Sequence, residues 1–337
     1  MSENDSLLES KKIGFTYNPK DITLKDDAFH DSKSLFFTEW WYFDATLNDG
    51  YAAQINVRIA SALKKTIFQI HLRFELFKDG IRIAYNKKVF KKDDFETSNE
   101  KPYIKLGGKE IINARIDKKT DNMIFDIFVD LNNTQANLQF EGITKGYKGK
   151  SGIPRGLKGK TKEGGWAVIL PRAKVKGKIK INDKEINVTG IGYHDHNWDV
   201  KIPIILNYGW LWGKIYFKNS TVVWAKVFET QKIASPLCLI SINENGYINI
   251  KPEDIQLIAK DFKIVEKKLL PHFLNLKAKN EKVDLNIKMK VLEIDFERVM
   301  GFMNYFRYHT KCSGQIKINK KEEKVDGNFI AEFLRFG

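Results

Sequence analysis

Cysteine, export signals and long apolar runs are scarce or missing in this sequence, and each scarcity excludes a class of protein. Cys238 and Cys312 are the two cysteines among 337 residues, too few for a disulfide framework. No apolar run approaches the roughly 20 residues of a membrane-spanning helix. Residues 1–5 (MSEND) are polar and acidic and do not resemble a signal peptide. We therefore expect a cytoplasmic protein in a reducing compartment.

Proline is also rare, with 8 residues, and no long Gly/Ser-rich stretch suggests a flexible linker. The chain is 42% hydrophobic and 12% aromatic, which excludes a disordered protein. Its length favours two domains, and the missing linker predicts that they pack against each other.

Common local signatures of nucleotide binding and nucleophilic catalysis are absent. The sequence has no complete G-x-x-x-x-G-K-[ST] phosphate loop and no G-x-G-x-x-G run after a predicted strand. Ser-His-Asp and Cys-His arrangements have no recognisable local pattern either. Any chemistry must therefore come from less familiar groups of residues.

Negative charge is sparse in one segment of a chain whose net charge is +15. Residues 145–180 contain twelve Lys or Arg and one acid, Glu163. A solvated loop and strand face, an anionic membrane surface and nucleic acid are three interpretations. The lysines alternate with Gly or aliphatic residues, as on an outer strand face, and no RNA-module signature is present. We expect no nucleic-acid partner and keep peripheral contact with an anionic membrane surface as an expectation.

Alternation of apolar and polar residues is the dominant pattern. Residues 36–47 are rich in aromatics, which favour strands, and Asn48-Asp49-Gly50 is a hairpin-turn signal before a return strand at 51–59. The same period of two recurs through both halves of the chain, at 68–76, 81–85, 124–129, 136–140, 175–181, 210–217, 221–228, 237–242, 283–291 and 315–318. An all-β fold of antiparallel barrels or sandwiches is predicted.

An internal repeat indicates a duplicated domain. Residues 177–190 and 314–327 are identical at nine of fourteen aligned positions, including a glycine at each end. On this alignment Asp195 overlays Glu332. The predicted organisation is an N-terminal arm at 1–34, a first β-domain at 35–200 and a second at 201–337.

The densest group of reactive side chains is the stretch 192–199 (GYHDHNWD) at the end of the first half. If it continues the preceding strand, His194, His196 and Trp198 share one face and Asp195 lies on the other. A His-x-His pair on one face is a candidate metal pair that needs a further ligand. His71, Asp44 and His309 are the sequence candidates for that ligand, but no second cluster has ligand spacing, so no metal is expected.

General acid chemistry is the alternative interpretation of this stretch. A carboxyl group in an apolar pocket can stay protonated near neutral pH, and Asp195 is the first candidate, with His194 and His196 orienting it or activating water. Asp44 is a second candidate if its strand face lines a lumen, and a solvated carboxylate if that face points outward. A purely structural polar network, with the histidines bonded to backbone carbonyls, remains open.

Two aromatic groups, one near the start of each half, are interpreted either as core or as the wall of an apolar ligand cavity. The candidate substrate-binding residues are Trp40, Trp41, Tyr42, Trp198, Trp210, Trp212 and Tyr216. Two weaker candidates, Arg307-Tyr308-His309 and Glu332, are expected to lie on the surface, the first as part of a salt bridge.

Four of these segments together resemble a known family. Glu39-Trp40-Trp41-Tyr42-Phe43, residues 193–198 (YHDHNW), Arg307-Tyr308-His309 and residues 327–336 resemble the carotenoid 1,2-hydratase (hydroxyneurosporene synthase) family and its AttH-like relatives. The resemblance spans residues 36–336. It implies two tandem lipocalin-like antiparallel β-barrel domains.

The resemblance also implies a function. Members of this family bind hydrophobic, often isoprenoid molecules and hydrate or cyclise them without a cofactor, and in the hydratases an Asp protonates the double bond. Their His-x-Trp pair matches His196 and Trp198. Their Tyr-x-Asp element on a later strand has no counterpart at 222–227 (VVWAKV), which leaves Asp195 or Asp44 as the acid.

We therefore expect an enzyme that hydrates or cyclises an isoprenoid or polyene-like substrate by Brønsted-acid chemistry. The alternative is a non-catalytic carrier of a lipophilic small molecule, in which the same aromatic residues bind and the carboxyl groups only satisfy hydrogen bonds.

Overall fold

The computed structural model describes residues 22–32, 35–63, 65–151, 164–198, 209–228, 236–242, 246–299 and 303–336. It contains two antiparallel sheets, one in each of two compact units that divide between residues 201 and 202. Among the described residues the only helical elements are four 3-10 turns, at Leu24–Asp27, Asn48–Gly50, Lys92–Asp94 and Pro252–Asp254. The predicted all-β class with two lipocalin-like sheets is confirmed, while the packing of one unit against the other stays a prediction.

The first unit is built from twelve strands in a nearly closed barrel sheet. The strands are β1 Phe36–Leu47, β2 Tyr51–Ala62, β3 Ile67–Lys78, β4 Ile81–Lys91, β5 Phe95–Thr97, β6 Tyr103–Leu106, β7 Lys109–Ile116, β8 Met123–Leu131, β9 Thr134–Gly142, β10 Tyr147–Ser151, β11 Gly164–Ile181 and β12 Lys184–Trp198. They follow the order β4-β3-β2-β1-β12-β11-β9-β8-β7-β6-β5, with β10 beside β11. The first strand of the unit therefore pairs with its last.

The second unit repeats this arrangement with nine strands. They are β13 Gly209–Tyr216, β14 Ser220–Phe228, β15 Pro236–Ile242, β16 Gly246–Ile250, β17 Ile255–Val265, β18 Lys268–Lys279, β19 Val283–Val299, β20 Met303–Ile318 and β21 Lys321–Phe336. Their order is β16-β15-β14-β13-β21-β20-β19-β18-β17, so first and last strands again pair.

The strand register explains the internal repeat. Tyr42 opposes Asp195 in the β1–β12 pair, and Trp212 opposes Glu332 in the β13–β21 pair, so Asp195 and Glu332 occupy equivalent places as predicted. The glycines that open the two repeats are also equivalent, because a Cβ atom at Gly177 or Gly314 would collide with a backbone carbonyl of the neighbouring strand. Duplication is thus visible in the topology as well as in the sequence.

The predicted faces of β1 and β2 are found in the barrel. Trp41, Phe43, Ala53, Ile55 and Val57 are fully buried in the apolar core of the first unit. Residues at the alternate positions of both strands point away from this core, because successive side chains of a strand face opposite sides. We call these two sides the inner and the outer face.

The prediction of an irregular polar arm at 1–34 is wrong for part of its length. Residues 1–21 lie outside the described residues, but Leu24–Asp27 form a 3-10 turn, and Asp27, Ala28 and Phe29 are buried against the first unit. Phe29 belongs to the apolar core of that unit. The segment 22–32 is therefore part of the barrel's packing.

No helix in the described part of the chain is long and apolar enough to cross a membrane.

Candidate functional site

The pairing of β1 with β12 divides the predicted site residues between the two faces. Trp41 opposes His196 and Phe43 opposes His194 on the inner face. Tyr42 opposes Asp195 on the outer face, and Asp44 lies beside them opposite Tyr193. The sequence prediction that His194 and His196 face away from Asp195 is confirmed. Two separate groups result, and we call them the inner network and the outer array.

The inner network consists of Asp27, His30, Glu39, His194 and His196. His194 is fully buried, and its Nδ1 lies 2.9 Å from the backbone carbonyl oxygen of Tyr42 while its Nε2 lies 2.9 Å from Asp27 Oδ2. A carbonyl oxygen only accepts, so Nδ1 carries a proton. The second ring nitrogen faces the Asp27 carboxyl group. Burial opposes ionisation of Asp27, but its contacts with His194 and His196 outweigh burial and lower the pKa of this carboxyl group.

His196 lies between two buried carboxylates. Its Nε2 is 3.0 Å from Glu39 Oε1, and its Nδ1 is 3.2 Å from Asp27 Oδ1 in an ion-pair contact. Burial by itself would lower the pKa of the imidazole, but the two carboxylates raise it to about 9. At neutral pH the ring is therefore a cation enclosed in the barrel.

Glu39 joins His196 to His30. Its Oε1 accepts a hydrogen bond from the backbone N–H of His30 at 2.9 Å. The same oxygen lies 3.2 Å from the ring nitrogen Nδ1 of His30. Burial raises the pKa of the Glu39 carboxyl group, but the contacts with His196 and His30 outweigh it, and the net shift is downward. Glu39 Oε2 is buried and has no hydrogen-bond partner among the described residues.

Aromatic rings hold the imidazoles of the inner network in place. Phe43 stacks on His194 with 3.7 Å between ring centroids, Trp41 stacks on His196 at 4.5 Å, and Trp198 stacks on His30 at 4.1 Å. Gly165 lies beside Trp198 and has no room for a Cβ atom, because that atom would overlap the indole ring. These contacts fix each ring plane.

The outer array consists of Tyr42, Asp44, Trp166, Tyr193, Asp195 and Asn197. Tyr42 donates its hydroxyl hydrogen bond to Asp44 Oδ2 at 2.9 Å, and Tyr193 donates to Asp195 Oδ2 at 2.9 Å. Each tyrosine thus binds the aspartate two residues further along its own strand. Because the strands are antiparallel, the two Tyr–Asp pairs form a square of alternating phenols and carboxyl groups.

Asp195 accepts two further hydrogen bonds, from Trp166 Nε1 at 3.0 Å to Oδ2 and from Asn197 Nδ2 at 3.2 Å to Oδ1. Three donors aimed at one carboxyl group are the surroundings of a carboxylate that accepts. Burial and the neighbouring Asp195 raise the pKa of the Tyr193 phenol well above its usual value of 10.0, so this phenol stays a neutral donor. The array therefore offers two buried carboxyl groups, each held by a phenol.

Two expectations from the sequence are corrected here. His194 and His196 do not orient Asp195, because they bind Asp27, Glu39 and a backbone carbonyl on the opposite face. Asp44 neither faces the apolar core nor is solvated, since it lies on the outer face and is 1% exposed.

The sequence candidates for a further ligand of the His-x-His pair do not lie beside it. His71 lies across from Arg58 on the outer side, and His309 binds Asp295 in the second unit at 2.8 Å. His196 is joined by Glu39 and His30, whose ligand atoms lie within 4.8 Å of its own and of one another.

The predicted aromatic residues of the second unit are not part of either group. Trp212 is buried with Lys214 Nζ 5.2 Å from its ring centroid, Trp210 packs beside Tyr305, and the ring of Tyr216 lies 6.2 Å from that of Phe329. In the first unit, Trp40 is half-buried beneath the guanidinium of Arg58, 5.6 Å from the ring centroid. A role for these residues in substrate binding stays a prediction.

The surface expectation for Arg307 and Glu332 is wrong, because both are buried. Arg307 Nη1 donates to Glu332 Oε1 at 3.2 Å. Tyr308, which follows Arg307 in the sequence, is also fully buried, and His309 is partly buried.

Sequence reasoning missed six residues that complete the two groups, among them Asn197, which had no role beyond its place in the stretch 192–199. Asp27 and His30 lie in a segment without periodicity, and no sequence signal connects them to β12. Glu39 was part of the resemblance but was given no role. Tyr193 had a usable signal, because the pattern Tyr-x-Asp occurs at both 42–44 and 193–195. Trp166 had none.

Comparisons with known proteins establish the fold. No family model matches the chain, and no curated protein matches it. A candidate AttH from Nitrosomonas europaea has a similar structure, with 13% identity, a TM-score of 0.68 and coverage of 93% of this chain and 97% of that one.

Two further solved structures are similar over nearly their whole lengths. Kievitone hydratase from Nectria haematococca has 10% identity, a TM-score of 0.60 and coverage of 97% and 96%. CghA, solved with Sch210972, has 8% identity, a TM-score of 0.60 and coverage of 97% and 95%. At these identities the likeness is one of fold, and it extends over both β-units of this chain.

Proposed function

We propose that this protein is a hydratase-type enzyme that adds water to, or cyclises, a hydrophobic isoprenoid or polyene-like molecule without a cofactor, using the outer array. The observation that carries the proposal is the pair of buried Tyr–Asp units, Tyr42 with Asp44 and Tyr193 with Asp195. General acid–base catalysis needs one group that donates a proton and one that accepts it. Two adjacent carboxyl groups in different hydrogen-bond surroundings meet that need.

Two other observations support a hydratase. The Tyr-x-Asp element of the carotenoid hydratases is missing at 222–227, yet Tyr42/Asp44 and Tyr193/Asp195 have the same composition and spacing. One of the similar structures is named a hydratase, although the likeness to it concerns the fold.

The proposed roles follow from the hydrogen bonds. Asp195, with three donors, is the carboxylate that accepts a proton from the attacking water. Asp44 is the second carboxyl group and supplies the proton to one alkene carbon. The other carbon becomes a tertiary cation, which the water oxygen captures. The proton that water releases to Asp195 replaces the one that Asp44 gave up once the two carboxyl groups re-equilibrate with solvent, so the net change is addition of H and OH. Aromatic faces such as those of Tyr42 and Trp40 stabilise a cation of this kind.

Organic extraction of the purified protein and mass spectrometry of the extract would identify a bound isoprenoid. Turnover of that compound and of related alkenes in heavy water should then place one deuterium on the product carbon. Asp44→Asn and Asp195→Asn should each lower kcat/KM by about 10²–10⁴-fold. Asp126→Asn is the matched control, because it removes a carboxyl group of β8 whose side chain is 42% exposed.

The carrier alternative gives a different set of results. A carrier would yield a bound lipophilic molecule but no product in any variant, wild type included. Turnover that survives unchanged in both Asp44→Asn and Asp195→Asn would contradict the assigned acid and base while leaving an enzyme in place.

A further inference from the structure

We propose that His30, Glu39 and His196 form a binding site for a divalent transition metal ion of the zinc type. The site lies in the inner network, on the other face of β1 and β12 from the outer array, and it does not depend on the function proposed for that array. Its ligand set, two imidazoles and one carboxylate, is one that proteins use for Zn²⁺ with an open fourth position.

The distances between the ligand atoms suit such an ion. Glu39 Oε1 lies 3.0 Å from His196 Nε2 and 3.2 Å from His30 Nδ1. Ligand atoms about 2.0–2.1 Å from a tetrahedral ion are roughly 3.3 Å apart, so small side-chain rotations suffice. The three ligand atoms already lie within 4.8 Å of one another.

Glu39 itself provides an independent sign of a missing partner. Its side chain is fully buried, and Oε2 has no hydrogen-bond partner among the described residues. Oε1 also accepts a hydrogen bond from the backbone N–H of His30 at 2.9 Å, so an ion that binds Oε1 would have Oε2 of the same carboxylate beside it as a second oxygen ligand. A buried carboxylate oxygen without a partner is costly, and a cation beside it removes that cost.

Asp27 supplies the support that metal-binding histidines usually have. A ligating imidazole commonly directs its second ring nitrogen at a carboxylate, which fixes the ring and increases its basicity. Here Asp27 Oδ1 lies 3.2 Å from His196 Nδ1, and His194 binds the other oxygen of Asp27 at 2.9 Å. Stacking of Trp41 on His196 and of Trp198 on His30 fixes both rings.

The second unit shows that the barrel does not need these polar groups for folding. By strand register, Glu39, His194 and His196 correspond to Gly209, Ala331 and Phe333. Ala331 and Phe333 belong to the apolar core of the second unit. A buried ion network is often no more stable than such an apolar replacement. Retention of three imidazoles and two carboxylates in one copy therefore points to a use beyond stability.

His30 is the most exposed of the three proposed ligands. Its side chain is 25% exposed, whereas those of Glu39 and His196 are 0% exposed. We therefore expect an ion to enter from the side of His30.

The test uses the full-length protein without a histidine tag, stripped with EDTA and titrated with Co²⁺ and then Zn²⁺. One equivalent of Co²⁺ should bind with intense visible bands of tetrahedral coordination, and Zn²⁺ should displace it. His30→Gln and Glu39→Gln should abolish the bands, and Asp27→Asn should weaken metal affinity about 10–100-fold. His309→Gln is the matched control, because His309 also contacts a carboxylate, Asp295, but lies in the second unit.

Unchanged Co²⁺ binding in His30→Gln, or no visible band in the wild type, would overturn the proposal. His30→Gln is the decisive variant because its side chain is partly exposed and the substitution leaves the buried Asp27–His194 pair untouched. Circular dichroism of each variant distinguishes lost binding from lost folding. Loss of turnover in the outer-array variants with metal binding intact would separate the two sites.

Discussion

Among the residues of the inner network, His196 has the largest expected effect on the stability of the fold, because it carries a buried charge. A fully buried imidazolium is stable there because Glu39 and Asp27 contact its two ring nitrogens. Removal of one partner from such a group leaves an uncompensated buried charge, which typically costs about 3–5 kcal/mol. The residue therefore couples protonation to folding.

This coupling predicts how the metal-free protein responds to pH. The pKa of His196 is raised from 6.5 in an unfolded chain to about 9 in the folded one, so its contribution to stability is complete below pH 6.5 and is lost as pH rises to about 9. The lowered pKa values of Asp27 and Glu39 act in the opposite direction, with stability lost as pH falls through the acid range. Urea unfolding of EDTA-treated protein should show a decline in unfolding free energy on the order of 3 kcal/mol across the alkaline window.

His196→Gln provides the comparison for that measurement. The variant should be less stable at pH 6.5, and the difference from wild type should shrink toward pH 9 because the wild type loses its ionic contribution there. A difference that stays constant between these pH values would show that His196 is not a cation in the folded protein.

Among the elements, β11 and β20 each contain a glycine at the equivalent position of the duplicated segment. Gly177 in β11 lies against the Asn137 carbonyl of β9, and Gly314 in β20 lies against the Asn286 carbonyl of β19. Both positions permit a close approach of two backbones that any larger residue would separate. The glycine shared by the two repeats is thus a packing requirement.

Gly177→Ala and Gly314→Ala should each destabilise the protein by about 1–3 kcal/mol, because the added methyl group forces neighbouring strands apart. Gly327→Ala, at the other end of the repeat, should cost less, since its nearest neighbour is the side chain of Phe329, which can move. Chemical denaturation of the three variants measures the order. Equal losses at all three positions would contradict the argument from backbone contact.

At the scale of the whole molecule, the net charge of +15 favours binding to a negatively charged partner. Of the basic segment at 145–180, residues 152–163 lie outside the described residues. Lys148 pairs with Asp26, and Lys174 and Lys176 are exposed and alternate with buried residues on β11. The predicted alternation on an outer strand face is found for this part, and the exposed lysines are compatible with both a solvated face and a membrane contact. We propose that the same lysines hold the protein at an anionic membrane surface.

Flotation with vesicles that contain phosphatidylserine should detect this contact, and binding should weaken as salt rises because surface charges are screened. Lys174→Glu with Lys176→Glu should reduce binding several-fold. Lys288→Glu with Lys290→Glu is the control, since these exposed lysines alternate in the same way on β19 and change the net charge equally. Binding that is absent at low salt, or equal in both double variants, would refute the proposal.

The sequence by itself determined the strands, the duplication and the division of the central stretch between two faces. These features depend on local rules. Successive side chains of a strand point to alternate sides, so His194 and His196 lie on one face of the sheet and Asp195 on the other, whatever the sheet. The tertiary structure alone decided which residues meet those faces. Asp27 reaches His194 across 167 positions of the chain, and burial of Asp44 on the outer face has no counterpart in local pattern. Periodicity describes which way a side chain points, but the partners it finds there are set by the packing of distant segments.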